Sequence, residues 1–286
     1  MNKPLLPCLL LLLAPLGTAC VGTTGGGLVD FDAYASGPSD ATGAPFTEHA
    51  YTFESPYSGY TITLSQATLQ VGAVYLDAAP CTGSSATPPC VDQSASTVAQ
   101  VNGGVITDAG AQVSGLLLDT LSPQAQPFAA KGSGIVQPAL SAEVWLSTGT
   151  EAMAIDDPSN ASAVVQVAGT AVKDGQSYPF TGTVTIGSNR MLPASDPALP
   201  GQNPICDQRI VRPICLSPAV EPVAGASFHV TVDPRGWFNN VEFSKLDTSQ
   251  GPPYPIPDDN DDVNGHNFFQ AIESSSGVYA FSFQTP

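Results

Sequence analysis

Positively charged residues are scarce in this chain: 8 lysine and arginine residues stand against 25 aspartate and glutamate residues, for a formal net charge of −17. From Val21 to Ala130 the sequence contains no lysine or arginine. A surface so acidic repels phosphate groups and anionic lipid headgroups. The composition therefore argues against nucleic-acid binding and against lipid recognition through a basic patch.

Common catalytic motifs are missing as well. The sequence contains no Gly-x-Ser-x-Gly elbow, no His-Glu-x-x-His pair, no Gly-rich phosphate loop and no Cys-x-x-Cys. Only three histidines are present: His49, His229 and His266. Serines and aspartates are abundant, so a triad built from distant residues stays open as an alternative. Without a motif, we predict a non-enzymatic protein.

Long apolar runs are confined to the start of the chain. Met1 to Leu16 holds one lysine and a leucine-rich run, followed by small residues, which is typical of a secretory signal peptide. That run is too short to span a bilayer. The stretch Leu16-Gly17-Thr18-Ala19-Cys20 then resembles the lipobox of bacterial lipoproteins, although the family usually has a branched aliphatic residue where Gly17 stands. Ordinary cleavage near Ala19 is the alternative.

The lipobox resemblance implies an anchor. Residues 1–19 would be the signal peptide, Cys20 the lipidation site, and residues 20–27 a flexible tether, since Val21 to Gly27 has neither charge nor periodicity. Several acyl chains, at roughly 0.8 kcal/mol per buried methylene, would hold the protein stably on a membrane. Val21 is not the aspartate associated with inner-membrane retention, so the resemblance favours an outer-membrane lipoprotein facing the periplasm or the cell surface.

Four further cysteines indicate disulfides in an oxidising compartment. Cys81 and Cys90 are nine positions apart, as are Cys206 and Cys215, so two local bridges are the simplest pairing. Four cysteines allow three connectivities, and the sequence leaves the crossed ones open. Zinc is disfavoured because structural zinc sites place ligands two to four residues apart.

Apolar residues alternate with polar ones through most of the chain, which predicts β-strands. Tyr60–Leu76 changes phase at Gln66 and predicts a long strand with a bulge or two short strands. The Asp174-Gly175 pair predicts a hairpin turn. Further strands are predicted at 142–147, 163–172, 176–186, 227–232 and 278–283, and short helices at 237–246 and 264–274.

Short strands, many Gly and Pro turns and local bridges together predict an all-β fold. We expect an antiparallel immunoglobulin-like β-sandwich with one or two short helices near the C-terminus. The length from residue 28 to residue 286 suits one large β domain. Residues 193–204, rich in proline, are the best position for a break into two domains.

Several stretches resemble a set of uncharacterised bacterial envelope lipoproteins. They are GYTITLSQATLQVGAVYL at 59–76, DGQSYPFTGTVTIGSNR at 174–190, VDPRGWFNNVEFSKL at 232–246 and FFQAIESSSGVYAFSF at 268–283. The resemblance covers most of the mature chain but implies location more than activity. A looser likeness in strand pattern alone runs to periplasmic copper-binding proteins, whose dense His and Trp arrangement this chain lacks.

The acidic stretch at 258–266 is the best candidate for metal chemistry. Asn260, Asp262 and Asn264 alternate and Gly265 follows, which matches the first half of a calcium loop. A calcium loop carries a glutamate at its twelfth position, and here that position is Ala271. Calcium bound by Asn260, Asp262 and Asn264, or less favourably copper bound with His266, is therefore an alternative to an ordinary solvated loop.

Two functions follow from these observations. The first is a lipid-anchored envelope protein that acts as a non-enzymatic binding or assembly module for an unknown protein or ligand. The second is a metal-binding envelope protein that uses the 258–266 loop. Trp237 is either a surface aromatic for ligand stacking or a core anchor.

Overall fold

The computed structural model describes residues 27–39, 51–81, 97–101, 106–107, 110–111, 115–148, 161–190, 205–274 and 277–285. The signal peptide, Cys20, His49, Cys90 and the possible domain break at 193–204 lie outside these residues. The described part is mostly β, with one α-helix near the C-terminus. Its strands are β1 Leu28–Ser36, β2 Tyr51–Glu54, β3 Thr61–Asp77, β4 Thr97–Val101, β5 Ile106–Thr107, β6 Gly110–Ala111, β7 Leu116–Asp119, β8 Gln126–Pro127, β9 Gly132–Ile135, β10 Ala139–Leu146, β11 Ser162–Lys173, β12 Gln176–Ile186, β13 Ile210–Val220, β14 Ser227–Val232, β15 Tyr254–Ile256 and β16 Tyr279–Gln284; the helix is α1 Val263–Ile272.

The long strand β3 organises the sheet. Its first half pairs with β11 on one side and with β2 and β7 on the other, while its second half pairs with β10 and β4. Where β3 meets β11 the register shifts, because Ala168 faces Gln66 and Gly169 faces Leu64. The predicted change of phase is therefore a β-bulge within one continuous strand.

The predicted β11–β12 hairpin is confirmed. Lys173 pairs with Gln176, and Asp174 and Gly175 between them have φ angles of 52° and 75°. Two consecutive positive φ angles define the turn that matches the twist of paired strands, and Asp-Gly is a favoured sequence for it. The second strand of this hairpin, β12, pairs in parallel with β15, which lies at the edge of the sheet.

The sheet is mixed and curls upon itself. One path runs β15-β12-β11-β3-β4-β9-β1-β14-β16, and β10 joins β3 to β13. The pairs β1–β14 and β12–β15 are parallel, and the others in this sheet are antiparallel. The curl encloses an apolar core that includes Trp145, Trp237, Phe180 and Phe228.

The structure confirms the all-β class and the C-terminal helix, but not the immunoglobulin-like antiparallel sandwich. The described strands belong to one curled mixed sheet, apart from the small β5–β6 pair. The helix predicted at 237–246 is wrong: two 3-10 turns, Pro234–Phe238 and Phe243–Lys245, stand there. Phe238, Val241 and Phe243 are all fully buried, so apolar side chains spaced for a helix are buried by irregular backbone instead.

The two local disulfides are also wrong. Cys81 is bonded to Cys215, 134 positions away. The pairing follows from the sheet, because β3 and β13 both pair with β10 and Ser141 of β10 faces Asp77 on one side and Cys215 on the other. The two strands that flank β10 therefore bring Cys215 and the segment just after β3 close together, although they are distant in the sequence. Cys90 and the side chain of Cys206 lie outside the described part of the chain.

Candidate functional site

The acidic loop at 258–266 is occupied by structural contacts. Asp258 accepts hydrogen bonds from the Thr185 backbone N–H at 3.0 Å and from the Thr185 hydroxyl, and it forms an ion pair with Arg190. Asn189 donates to the Asp258 backbone carbonyl at 3.2 Å. These contacts fasten the loop to the end of β12.

The next polar residues of the loop start helix α1. Asp262 is its N-cap, and the carboxylate accepts from the backbone N–H groups of Asn264 at 2.8 Å and Gly265 at 3.0 Å. Such a cap satisfies helix N–H groups that have no partner within the helix. Asn264 is buried and accepts from the Glu242 N–H at 2.8 Å. Asp262 therefore caps the helix, and Asn264 binds the backbone of Glu242, so both side chains have structural roles.

The predicted metal ligands do not converge on one point. Asp262 is turned toward its own helix, Asn264 toward Glu242, and the His266 imidazole contacts Asn260 at 3.0 Å. Within the described residues, no group of three His, Cys, Asp or Glu side chains is placed to hold a metal ion. The hypothesis of calcium, or of copper, at Asn260, Asp262, Asn264 and His266 therefore has no support in the structure.

A small polar pocket of about 180 Å³ lies beside α1. Its lining is rich in carboxamides and also includes His266; the carboxamides are Asn239, Asn240, Asn267 and Gln270. Asn267 already donates to the Asn240 backbone carbonyl at 2.9 Å. The lining offers hydrogen bonds but contains no carboxylate, lysine or arginine.

Charged groups are enclosed behind the loop. Arg190 and Arg209 are almost fully buried, although arginine is rarely buried unless paired. Arg190 donates to the Thr185 carbonyl at 3.1 Å, and its guanidinium carbon lies 4.2 Å from the centre of the Phe269 ring. Burial lowers the pKa of Arg190, and the neighbouring Asp258 carboxylate opposes that shift. This cluster fixes α1 and the loop against β12.

Glu273, just after α1, has a perturbed carboxyl group. Burial raises its pKa to about 8, the Arg190 charge opposes the shift and the Asp207 charge adds to it. The carboxyl is therefore mostly protonated at neutral pH. Perturbed acids also occur in active sites, yet Glu273 is not among the residues that line the described pockets, although its neighbours Ala271 and Ser274 line the small pocket beside α1. We interpret the group as part of the buried network.

Trp237 is fully buried, so it is a core residue and not a surface aromatic. His229 lies on the polar face of β14, as predicted, and contacts the Ser227 hydroxyl through Nε2 at 2.8 Å. Burial lowers the pKa of His229. Within the described residues no carboxylate contacts its other ring nitrogen, so this pair lacks the third member of a catalytic triad.

A groove lies between β13 and β16 of the curled sheet. Its volume is about 430 Å³, and it is lined by residues 215–221, Val223 and residues 279–283. These belong to β13 with the segment that follows it, and to β16. In the described structure β13 pairs only with β10, and β16 only with β14. We call this groove, with its two walls β13 and β16, the seam.

Sequence reasoning missed the seam. The strand at 278–283 is correctly predicted, but alternation does not tell whether a strand has one neighbour or two. The available signal is compositional: β16 contains neither charge nor proline, whereas edge strands usually carry one or the other.

The chain matches no protein-family model, no curated protein and no solved structure. No helix among the described residues is long and apolar enough to cross a membrane.

Proposed function

We propose that this protein is a lipid-anchored binding module of the bacterial cell envelope, without catalytic activity, that holds a partner protein through the seam. The seam is the single observation that carries the proposal. Partly exposed aromatic side chains meet there with strand edges that have no partner among the described strands, and both kinds of group gain stability when a partner protein covers them.

The other surfaces support binding less well. The acidic loop at 258–266 is committed to helix capping and ion pairing, and the carboxamide pocket is less than half the volume of the seam. Anchoring is supported by the lipobox-like stretch that ends at Cys20, and the tether that follows would hold the β domain away from the bilayer.

Cross-linking in living cells tests the binding part of the proposal. A photoreactive phenylalanine analogue replaces Phe281 in the seam or, as the control, Tyr57, which is 77% exposed in the turn between β2 and β3. We expect a protein adduct of one defined mass from position 281 and none from position 57. Equal adducts from both positions, or none from position 281, would contradict binding at the seam.

The same strains test the anchor. We expect wild-type protein in the membrane fraction and Cys20→Ala protein in the soluble fraction, because acylation requires the cysteine thiol. Membrane retention of Cys20→Ala would refute the lipobox interpretation, and it would leave the cross-linking result to decide on the seam independently.

A further inference from the structure

Two edge strands of the described sheet, β13 and β15, carry protection that the edge strand β16 lacks. The edge strand β13 contains Pro213 and Pro218, and β15 contains Pro255. Proline has no N–H to offer a neighbouring strand, so natural proteins use it to block edges. The strand β16, Tyr-Ala-Phe-Ser-Phe-Gln, has neither proline nor a charged residue. Among the described strands only β14 pairs with β16, and β16 has no such block on its other edge.

The register identifies which backbone groups of β16 are free. The Val278 carbonyl accepts from the Asp233 N–H at 2.8 Å, which continues the β14–β16 pairing by one step. In an antiparallel pair, the residues of one strand point their N–H and C=O groups alternately toward the partner and away from it. Residues 278, 280 and 282 therefore face β14, so Phe281 and Phe283 direct their backbone groups into the seam.

The side chains at the seam are apolar. Phe281 stacks on Phe228 with ring centres 6.1 Å apart, and Phe283 packs edge-on against Phe31 at 4.9 Å. Both β16 rings are only partly buried, in contrast to the fully buried Phe228. On the opposite wall Val223 is 39% exposed. An added strand would cover these rings with its own apolar side chains.

The negative charge of the protein indicates which kind of partner segment would bind in the seam. Glu221 is exposed in the seam lining and forms no ion pair within the described part of the chain. The whole chain carries −17, so two copies repel each other, whereas a cationic segment is attracted. Resting on the proposed function, we propose that the partner supplies an extended, lysine- or arginine-bearing segment with alternating apolar residues, which adds to β16 as a strand.

Synthetic peptides test this proposal with purified protein. The probe has valine at alternate positions over ten residues, threonine between them, and two lysines at each end; its control has glutamates in place of the lysines. By fluorescence anisotropy we expect the lysine peptide to bind at least about tenfold more tightly than the glutamate peptide, with a difference that shrinks in high salt. Equal binding of the two would overturn the charge argument.

Backbone pairing is tested by N-methylation. Two versions of the lysine peptide carry methyl groups on one or the other set of alternate amides, so that they differ only in which edge of the strand is blocked. We expect one version to bind like the parent and the other to lose at least about tenfold, because one edge alone pairs with β16. Equal losses, or no loss in either, would overturn strand addition.

Variants of the protein complete the test. Phe281→Lys places a positive charge on the partly buried, apolar face of β16. Ser282→Lys places the same charge on the exposed face of that strand. We expect only Phe281→Lys to abolish peptide binding, with melting curves to confirm that both variants fold.

Two other outcomes would overturn the proposal. If the protein binds no peptide but self-associates, and Phe281→Lys removes that self-association, the occupant of the seam is a second copy of the chain and not a cationic partner. Cross-linking at position 281 without peptide binding would refute this inference while leaving the proposed function standing.

Discussion

Removal of the Cys81–Cys215 disulfide should destabilise the protein by up to about 5 kcal/mol. The bridge joins residues 134 positions apart, and in the chain-entropy model the stabilisation grows with the logarithm of that separation. For a domain of this size such a loss lowers the melting temperature by about 10 °C or more. Urea unfolding of Cys81→Ser, Cys215→Ser and the double variant, with free thiols blocked, measures the effect.

The double variant distinguishes the bridge from the local pairing expected from the sequence. Because the two cysteines form one bond, each single variant should lose the whole stabilisation and the double variant should lose no more. If Cys81 were instead bonded to Cys90, and Cys206 to Cys215, the effects of Cys81→Ser and Cys215→Ser would add. Additive losses would contradict the pairing.

Replacement of Arg190 by methionine should destabilise the protein by about 3 to 5 kcal/mol. The substitution leaves the Asp258 carboxylate without its cationic partner, and breaking a buried ion pair from one side is costly for that reason. It also removes the stacking on Phe269 that connects β12 to α1. Lys245→Met is the matched control, because Lys245 is exposed and should change stability by less than about 0.5 kcal/mol.

Asp258 supplies the complementary test. In the Arg190→Met background, Asp258→Asn removes the uncompensated charge and should recover part of the lost stability, although Asp258→Asn alone should be destabilising. Chemical denaturation of the four proteins gives the coupling free energy directly. An Arg190→Met variant as stable as Lys245→Met would show that the network does not fasten the loop.

Local patterns predicted the hairpin and six of the strands, β3, β10, β11, β12, β14 and β16, because alternation and an Asp-Gly turn are properties of neighbouring residues; β1 and β13 were not predicted. The strands at 176–186 and 227–232 have the predicted bounds, and α1 begins one residue before its predicted start. The prediction of a helix at 237–246 failed because 3-10 turns bury the apolar side chains there, and the spacing of Phe238 and Val241 fits both a helix and such turns.

Contacts between residues far apart in the sequence could not be predicted from local patterns. Equal spacing within two cysteine pairs favoured local bridges, but the order of β3, β10 and β13 in the sheet decided the pairing of Cys81. Alternating Asn and Asp residues suit both a calcium loop and a helix N-terminus, and only the direction of the Asp262 and Asn264 side chains distinguishes them. The seam exists because β13 and β16 each have one neighbour among the described strands. The sequence of a single strand does not show how many neighbours that strand has.

Amide hydrogen exchange along β16 tests the open seam most directly. In the purified protein we expect the N–H groups of Ala280 and Ser282, which face β14, to exchange slowly, and those of Phe281 and Phe283 to exchange fast. The lysine peptide should slow exchange at Phe281 and Phe283 and leave exchange at Ala280 and Ser282 unchanged. Slow exchange at all four amides in the free protein would show that the seam is already closed, and it would contradict the binding function proposed for it.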